Sequence, residues 1–349
     1  MPSVVVALAG PRQIELVEEP SRPLGPDEVR IRTLLSGVSA GTEMAFYRGT
    51  NPYLHKHWDA SARLFLSGTS EALTFPITTW GYEEVGEVTE AGPEASLPAG
   101  ARVFGTWGHR SQHIAAASTF AHRVLPPDVD PLLGTFSHIG AIALNGVLDA
   151  NARVGETVAV FGLGVVGQLV AQLLRHAGAR VIGLDLLAER REIALRLGAH
   201  LVLDPASGDA AAQIKQITDG RGADICVEAS GSSRALHEAI RSCAYSSRVV
   251  ALGFYQGEAA GLFLGEEFHH NRVAIVCSQI GGLAPDLQAR WDRARLVRTF
   301  MGLATGGTVR CAELVTHRVS FREAASLYRT LDESPRSVLQ AVLDFADAD

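Results

Sequence analysis

Thr157-Val158-Ala159-Val160-Phe161-Gly162-Leu163-Gly164-Val165-Val166-Gly167 is the stretch that decides the fold of this 349-residue chain. Thr157–Phe161 is a short apolar run of strand length, and glycines follow it directly. Apolar residues then recur with helical period from Val165 to Ala177, and Gly178 reads as the helix stop. A strand, a G-x-G-x-x-G turn and a helix in that order meet the context required of a dinucleotide-binding loop. Gly162 permits the tight turn, Gly164 lets backbone approach a pyrophosphate, and Gly167 lets helix and strand pack closely. Val165 and Val166 open the helix, whose free N–H groups and positive end suit phosphates. A glycine-rich turn without a ligand would leave Asp185 unexplained. That residue ends the next strand, Val181–Leu184, near the ~20-residue offset of a ribose-binding acid. Its carboxylate would accept bonds from both ribose hydroxyls and repel a 2′-phosphate. NAD is therefore expected over NADP, a preference tempered by Arg190, which could serve that phosphate.

Downstream, strands Leu201–Leu203, Ile225–Val227, Val249–Leu252 and Val273–Val276 alternate with helices Glu189–Leu197, Ala211–Ile217 and Ala235–Cys243. Such alternation argues for a doubly wound parallel sheet, an α/β fold of the Rossmann kind. Ligands of these sheets bind beyond the carboxyl ends of the strands. Glu228-Ala229-Ser230-Gly231 and Leu252-Gly253-Phe254 fall there, which adds Ser230, Gly253 and Phe254 to the expected cofactor contacts. The run Arg272–Ser278 reads as an apolar edge strand. Edges of that kind are usually covered or paired, so a homodimer or dimer-based tetramer is expected. Leu287–Leu303 reads as one long helix, followed by strand-like Glu313–Val319, helical Arg322–Leu331 and strand-like Val338–Phe345. Upstream of Pro126–Pro127 the chain is different. Val4–Leu8, Val29–Leu34, Glu84–Thr89 and Arg102–Phe104 are short strands broken by Gly and Pro, with an irregular stretch from Asn51 to Pro76. The expected division is a β-rich domain of residues 1–125 with 295–349, closed by the returning tail, and a Rossmann domain of residues 126–294.

Composition narrows the function. With 47% hydrophobic and 20% charged residues the chain reads as globular, and a net charge of −7 without a basic run speaks against nucleic acid. No apolar stretch is expected to approach the roughly 20 residues of a membrane span, and Met1–Gly10 reads as a strand, not a signal peptide. Cys226, Cys243, Cys277 and Cys311 lie far apart, form no CxxC pair and read as small buried side chains of a cytoplasmic protein.

Several segments resemble the medium-chain dehydrogenase/reductase superfamily, to which the alcohol dehydrogenases belong. They are Ser36-Gly37-Val38-Ser39-Ala40-Gly41-Thr42-Glu43, Gly81-Tyr82-Glu83, Gly100-Ala101-Arg102-Val103, the glycine loop and Thr316-His317-Arg318. The resemblance spans nearly the whole chain. It implies a GroES-like substrate domain, a Rossmann domain inserted near the C-terminus, and hydride exchange between nicotinamide and an alcohol or carbonyl. In that family a Cys of the first loop, the His of Gly-His-Glu and a Cys or Glu near the domain junction hold zinc. Ser36, Tyr82 and His138 stand at those places here, and the four-cysteine zinc lobe is missing. A hydroxyl and a phenol are poor zinc donors. The pattern resembles the zinc-lacking branch that includes bacteriochlorophyllide dehydrogenases, and no metal is expected. Were zinc bound nonetheless, Ser36, Tyr82, Glu83 and His138 would be the set to hold it.

Without a metal, hydrogen-bond donors must stabilise charge on the substrate oxygen and a side chain must move the proton. Tyr82 is the first candidate. Thr42 matches the family's relay hydroxyl if one residue is inserted in the loop, with Ser36 and Ser39 as alternatives. His138 suits proton transfer because imidazoles titrate near neutral pH, although a packed histidine in the apolar run Leu132–Leu148 explains it equally. Glu83 and Glu43 read as structural partners of this site. His109 with His113, His55 with His57 and His269 with His270 read as surface pairs. Phe46, Tyr47, Tyr53, Trp58, Phe65 and Trp80 either line a pocket or pack a long loop. Competing functions are a quinone or enone reductase, a polyol dehydrogenase with unusual zinc ligands, and a non-catalytic nucleotide-binding protein.

Overall fold

The computed structural model describes residues 2–67 and 73–348. The chain opens with β1 (Ser3–Gly10), β2 (Gln13–Glu19), β3 (Glu28–Val38), α1 (Ala40–Tyr47), β4 (Lys56–Asp59) and β5 (Leu64–Ser67). Then come β6 (Glu84–Ala91), β7 (Arg102–Gly105), β8 (Gln112–Ala116), β9 (Val124–Leu125) and α2 (Ser137–Ala150). The alternating region holds β10 (Thr157–Phe161), α3 (Val165–His176), β11 (Arg180–Leu184), α4 (Ala188–Leu197), β12 (Leu201–Leu203) and α5 (Ala210–Ile217). It continues through β13 (Ala223–Glu228), α6 (Ser233–Ser242), β14 (Cys243–Ala251), β15 (Ala274–Cys277) and α7 (Arg293–Thr305). The tail is β16 (Val315–Ser320), α8 (Ala324–Glu333) and β17 (Gln340–Asp344).

Two compact units result, Met1–His138 with Val315–Asp349 and Ile139–Leu314. The junctions lie later than the expected 125/126 and 294/295. After Pro126–Pro127 the 3-10 stretch Pro131–Phe136 packs back on β3, β6 and β7 and stays with the β-rich unit. At the other junction, the Phe300 ring of α7 lies over Gly140 of α2, where a Cβ would sit 2.0 Å from it, so this helix belongs to the second unit. The helix also starts later than expected, because Asp292 caps it by accepting from the Arg295 N–H at 2.6 Å.

In the Rossmann unit six parallel strands run in the order β12-β11-β10-β13-β14-β15. Val158, Ala159 and Val160 are fully buried, as a central strand between helical layers requires. Phe161 pairs with Leu184 on one side and Glu228 on the other, so Gly162, Asp185 and Ala229 leave the sheet at one level.

The β-rich unit is built on the sheet β16-β17-β3-β6-β7-β9, with β8 also pairing β3. β17, the last strand of the chain, runs antiparallel to β3 and sets Leu343 opposite Ser36, while β6 sets Glu84 opposite Ser36 from the other side. The stretch expected to be irregular contains the hairpin β4–β5. Tyr47 and Trp80 are core residues, packed around Tyr328. Tyr53, Trp58 and Phe65 form a separate, exposed aromatic group. One helical run, Pro131–Ala150, is as long and apolar as a membrane span, contrary to expectation, but 61% of its 18-residue apolar window is buried inside the protein. Cys277 also departs from expectation, being exposed, whereas the other three cysteines are buried.

Candidate active site

The glycine loop has the shape its motif predicts. Gly162 adopts a left-handed φ of +88°, and a Cβ there would lie 2.7 Å from that of Ser230. At Gly167 a Cβ would lie 1.9 Å from the Gly162 carbonyl oxygen. Gly164 is different, for its nearest neighbour would be Arg190 Nη1 at 3.9 Å. The first and third glycines are thus demanded by packing, and the second leaves open space in front of the α3 N-terminus. That open cradle fits a pyrophosphate.

The Asp185 side chain is only 9% exposed. Its carboxylate accepts from the Leu163 N–H at 2.8 Å and from the Leu187 N–H at 2.9 Å, tying the end of β11 to the glycine turn. Arg190 Nη1 stands 3.9 Å from the same carboxylate, while Arg191 donates to the Asp185 carbonyl at 2.6 Å and pairs with Asp204 at 3.1 Å. Gln168 braces the turn from α3, donating to the carbonyls of Leu163 and Arg190 at 3.2 and 2.8 Å. At the end of β13, the Glu228 carboxylate accepts from the Ser230 and Gly231 N–H groups at 2.8 and 3.1 Å, from the Ser230 hydroxyl and from Tyr255. Gly231 and Gly253 are in close apposition, and Phe254 is exposed. The bracing roles of Gln168 and Tyr255 carry no sequence signal, because each depends on long-range packing.

In the β-rich unit Tyr82 is the centre of a hydroxyl cluster. Its O–H donates to Thr42 Oγ1 at 3.1 Å and is hydrogen-bonded to Ser39 Oγ. The His138 ring stands edge-on to the Tyr82 ring, 4.8 Å between centroids. Burial, followed by the charge of Glu83, pushes the Tyr82 pKa above its usual value, so the phenol stays protonated and donates.

Of the residues expected at the site, the structure brings Tyr82, Thr42 and His138 together with Ser39, one of the two alternative hydroxyls. Ser36 and Glu83 lie elsewhere. Ser36 is an inward-facing residue of β3 and donates to Glu84 Oε1 at 3.0 Å, whereas Ser39, past the strand end, is the N-cap position of α1. The loop hydroxyl that meets Tyr82 is therefore Ser39. Glu83 is fully buried and accepts from Gln340 Nε2 at 2.8 Å, while its other oxygen has no partner. Burial, then the charges of Glu43 and Glu84, push its pKa well up.

His109, expected at the surface, is 0% exposed. Its Nδ1 is 2.7 Å from Ser36 Oγ, and its Nε2 is 3.1 Å from both Glu43 Oε2 and the Tyr328 hydroxyl. Tyr328 donates to that same Glu43 oxygen, and Glu43 Oε1 accepts from the Ser39 N–H at 2.9 Å. Burial alone would lower the His109 pKa, but the charge and hydrogen bond of Glu43, with Glu84, raise it on balance. His113 is half-buried, its ring stacked on Trp107 at 5.5 Å. His55, His269 and His270 are exposed, as expected.

Three comparisons bear on this arrangement. The family described as zinc-binding dehydrogenase matches residues 165–295. A D-guloside 3-dehydrogenase of Shigella flexneri is 31% identical over 343 residues, covering 96% of this chain and 98% of that one. A 2-desacetyl-2-hydroxyethyl bacteriochlorophyllide A dehydrogenase of Cereibacter sphaeroides is 26% identical and covers 99% of each chain. Among solved structures, a protein of Sinorhizobium meliloti 1021 described as a zinc-binding dehydrogenase, with NADP bound, superposes with a TM-score of 0.77 at 21% identity, covering 99% of each chain.

Proposed function

From the premise that this chain belongs to the zinc-binding dehydrogenase family, the alcohol-dehydrogenase-like medium-chain dehydrogenases/reductases, we propose that it exchanges hydride between NAD and a secondary alcohol of a sugar or polyol, using hydroxyl groups where relatives use zinc. The observation that carries this reading is the cluster of Tyr82, Ser39 and Thr42 beside His138.

The family's name implies zinc, and the donor set does not fit it. Of the residues at the ligand places, Ser36 is an alcohol bonded to Glu84, Tyr82 is a phenol bonded to Ser39, and the phenol's raised pKa opposes the anionic form a metal would need. A single imidazole, His138, is left. Among the described residues, the one grouping of three metal-type side chains is His237, Glu266 and Glu267, in the Rossmann unit.

When bound, the nicotinamide nucleotide supplies the hydride chemistry, which no side chain can. Gly164 and the first turn of α3 hold its pyrophosphate, and Asp185 receives the ribose hydroxyls. Tyr82, kept protonated, turns its one O–H from Thr42 to the substrate's carbonyl or alkoxide oxygen while accepting from Ser39. Ser39 and Thr42 orient that phenol, and His138 takes up or returns the proton. The sugar class rests on the full-length similarity to a D-guloside 3-dehydrogenase. The unpaired cysteines suit a reducing cytoplasm.

The test is a screen of methyl glycosides and polyols with NAD+ and NADP+, followed by Tyr82→Phe. Loss of a positioned donor should lower kcat by about 10²–10³-fold while cofactor affinity stays unchanged. Turnover confined to quinones or enones would refute the reading, and no turnover with any substrate would favour a non-catalytic nucleotide-binding protein.

A further inference from the structure

His109 lies against both backbone segments that carry the hydroxyl cluster. On one side its Nε2 meets Glu43, whose other oxygen holds the Ser39 N–H, and its Nδ1 meets Ser36 in β3. On the other side its ring faces Gly81, the residue before Tyr82. A Cβ on Gly81 would lie 2.7 Å from two atoms of the imidazole. Gly81 is also left-handed, with φ +86°, so the glycine of Gly-Tyr-Glu is required both by its turn and by this ring. The His109 backbone is fastened as well, its N–H donating to the Trp80 carbonyl at 3.2 Å and its carbonyl accepting from Val6 at 2.9 Å. Tyr328 of α8 completes the clamp with its hydroxyl on Glu43.

We propose that His109 is a positioning residue for the hydroxyl cluster: braced by Glu43 and Tyr328, it sets the spacing between the Ser39 end of α1 and the Gly81–Tyr82 backbone. A packing residue would have needed only an apolar ring. Here a fully buried imidazole has both nitrogens engaged, one toward each of two carboxylate-bound partners, Ser36 with Glu84 and Tyr328 with Glu43. An imidazolium is the form that donates from both nitrogens at once. The raised pKa agrees with that form. Replacing it leaves Glu43 short of a donor and removes the surface against which Gly81 rests.

This inference rests on the proposed role of Tyr82, and its test separates the two. The protein is labelled with [13Cζ]tyrosine, and the Tyr82 resonance is assigned by its loss in Tyr82→Phe. His109→Gln and Tyr328→Phe are then compared with the wild type. Tyr328→Phe keeps the ring packed against Tyr47 and Trp80 and deletes only the hydroxyl, which covers the case in which His109→Gln does not fold. In each folded variant the Tyr82 resonance should move, and kcat on the best glycoside should fall at least tenfold with the KM for NAD unchanged. A Tyr82 resonance at its wild-type position, or a wild-type kcat, in both variants would overturn the proposal whatever happens to Tm. If the wild type turns over no glycoside, the reading of the reaction fails, and the tyrosine resonance alone decides the positioning role.

Discussion

Two histidines four positions apart pull stability in opposite directions with pH. Burial, followed by the charges of Arg110 and Arg22, pushes His113 down to about 4. The unfolded chain, with its histidine near 6.5, binds the proton first, so stability is full above pH 6.5 and is lost as pH falls toward 4. His109, with its pKa raised, contributes stability that is present below pH 6.5 and lost as pH rises through the folded value. Between pH 7 and pH 5 the His113 contribution amounts to about 2 kcal/mol. Urea unfolding of His113→Gln should show that much less acid loss than the wild type, and equal losses would contradict it. Asp185 carries the second prediction. NAD(H) should bind more tightly than NADP(H), because the carboxylate would lose the 2′-hydroxyl bond and face a like charge. Since that carboxylate also holds two backbone N–H groups, Asp185→Ser should cost about 1–3 kcal/mol besides narrowing the cofactor preference. Asp185→Asn, which keeps an acceptor oxygen, isolates the electrostatic part. Fluorescence titration of both nucleotides measures it, and tighter NADP(H) binding by the wild type would assign control to Arg190. The glycines and Asp185 were readable because their spacing is local. The sequence left Ser36 and Ser39 as alternatives because the choice depends on where β3 ends and α1 begins, and His109 was misplaced because its partners come from three distant segments.

At the scale of elements, β15 is an end strand of the six-stranded sheet, and all its residues are apolar or cysteine. Its burial is low for such a strand, with Ile275 at 37% exposure. An apolar edge with unpaired backbone groups invites a copy of itself across a two-fold axis. The protein should therefore be a dimer, or a dimer-based tetramer, by light scattering at micromolar concentration. Ile275→Lys should shift it toward monomer, and a wild-type monomer would end the idea. Most elements of the Rossmann unit were legible because buried parallel strands read as apolar runs between glycine-punctuated helices. The β-rich unit was harder. β2, β4 and β5 are partly or wholly exposed and lack a clean apolar alternation, and β9 is only two residues long.

For the molecule as a whole, purified protein should contain no stoichiometric zinc and should keep its activity after EDTA, because Tyr82 is bonded to Ser39 and Ser36 to Glu84 and His109. Elemental analysis giving about one zinc per chain would overturn this. The two-unit division was visible in the change of composition at Pro126–Pro127. Its precise edges were not, since the residues that decide them, such as Phe300 above Gly140, signal their side only once packed. The division also orders events during synthesis. Residues 139–314 form one unbroken stretch and can close while the ribosome is still at work. The other unit cannot, for β17 lies between β16 and β3 and supplies the Gln340 amide that Glu83 accepts from. Until β17 emerges, the Leu35–Val38 end of β3 lacks the partner that β8 supplies to its Glu28–Arg32 end, and a unit whose first strands are made early waits for a strand made late.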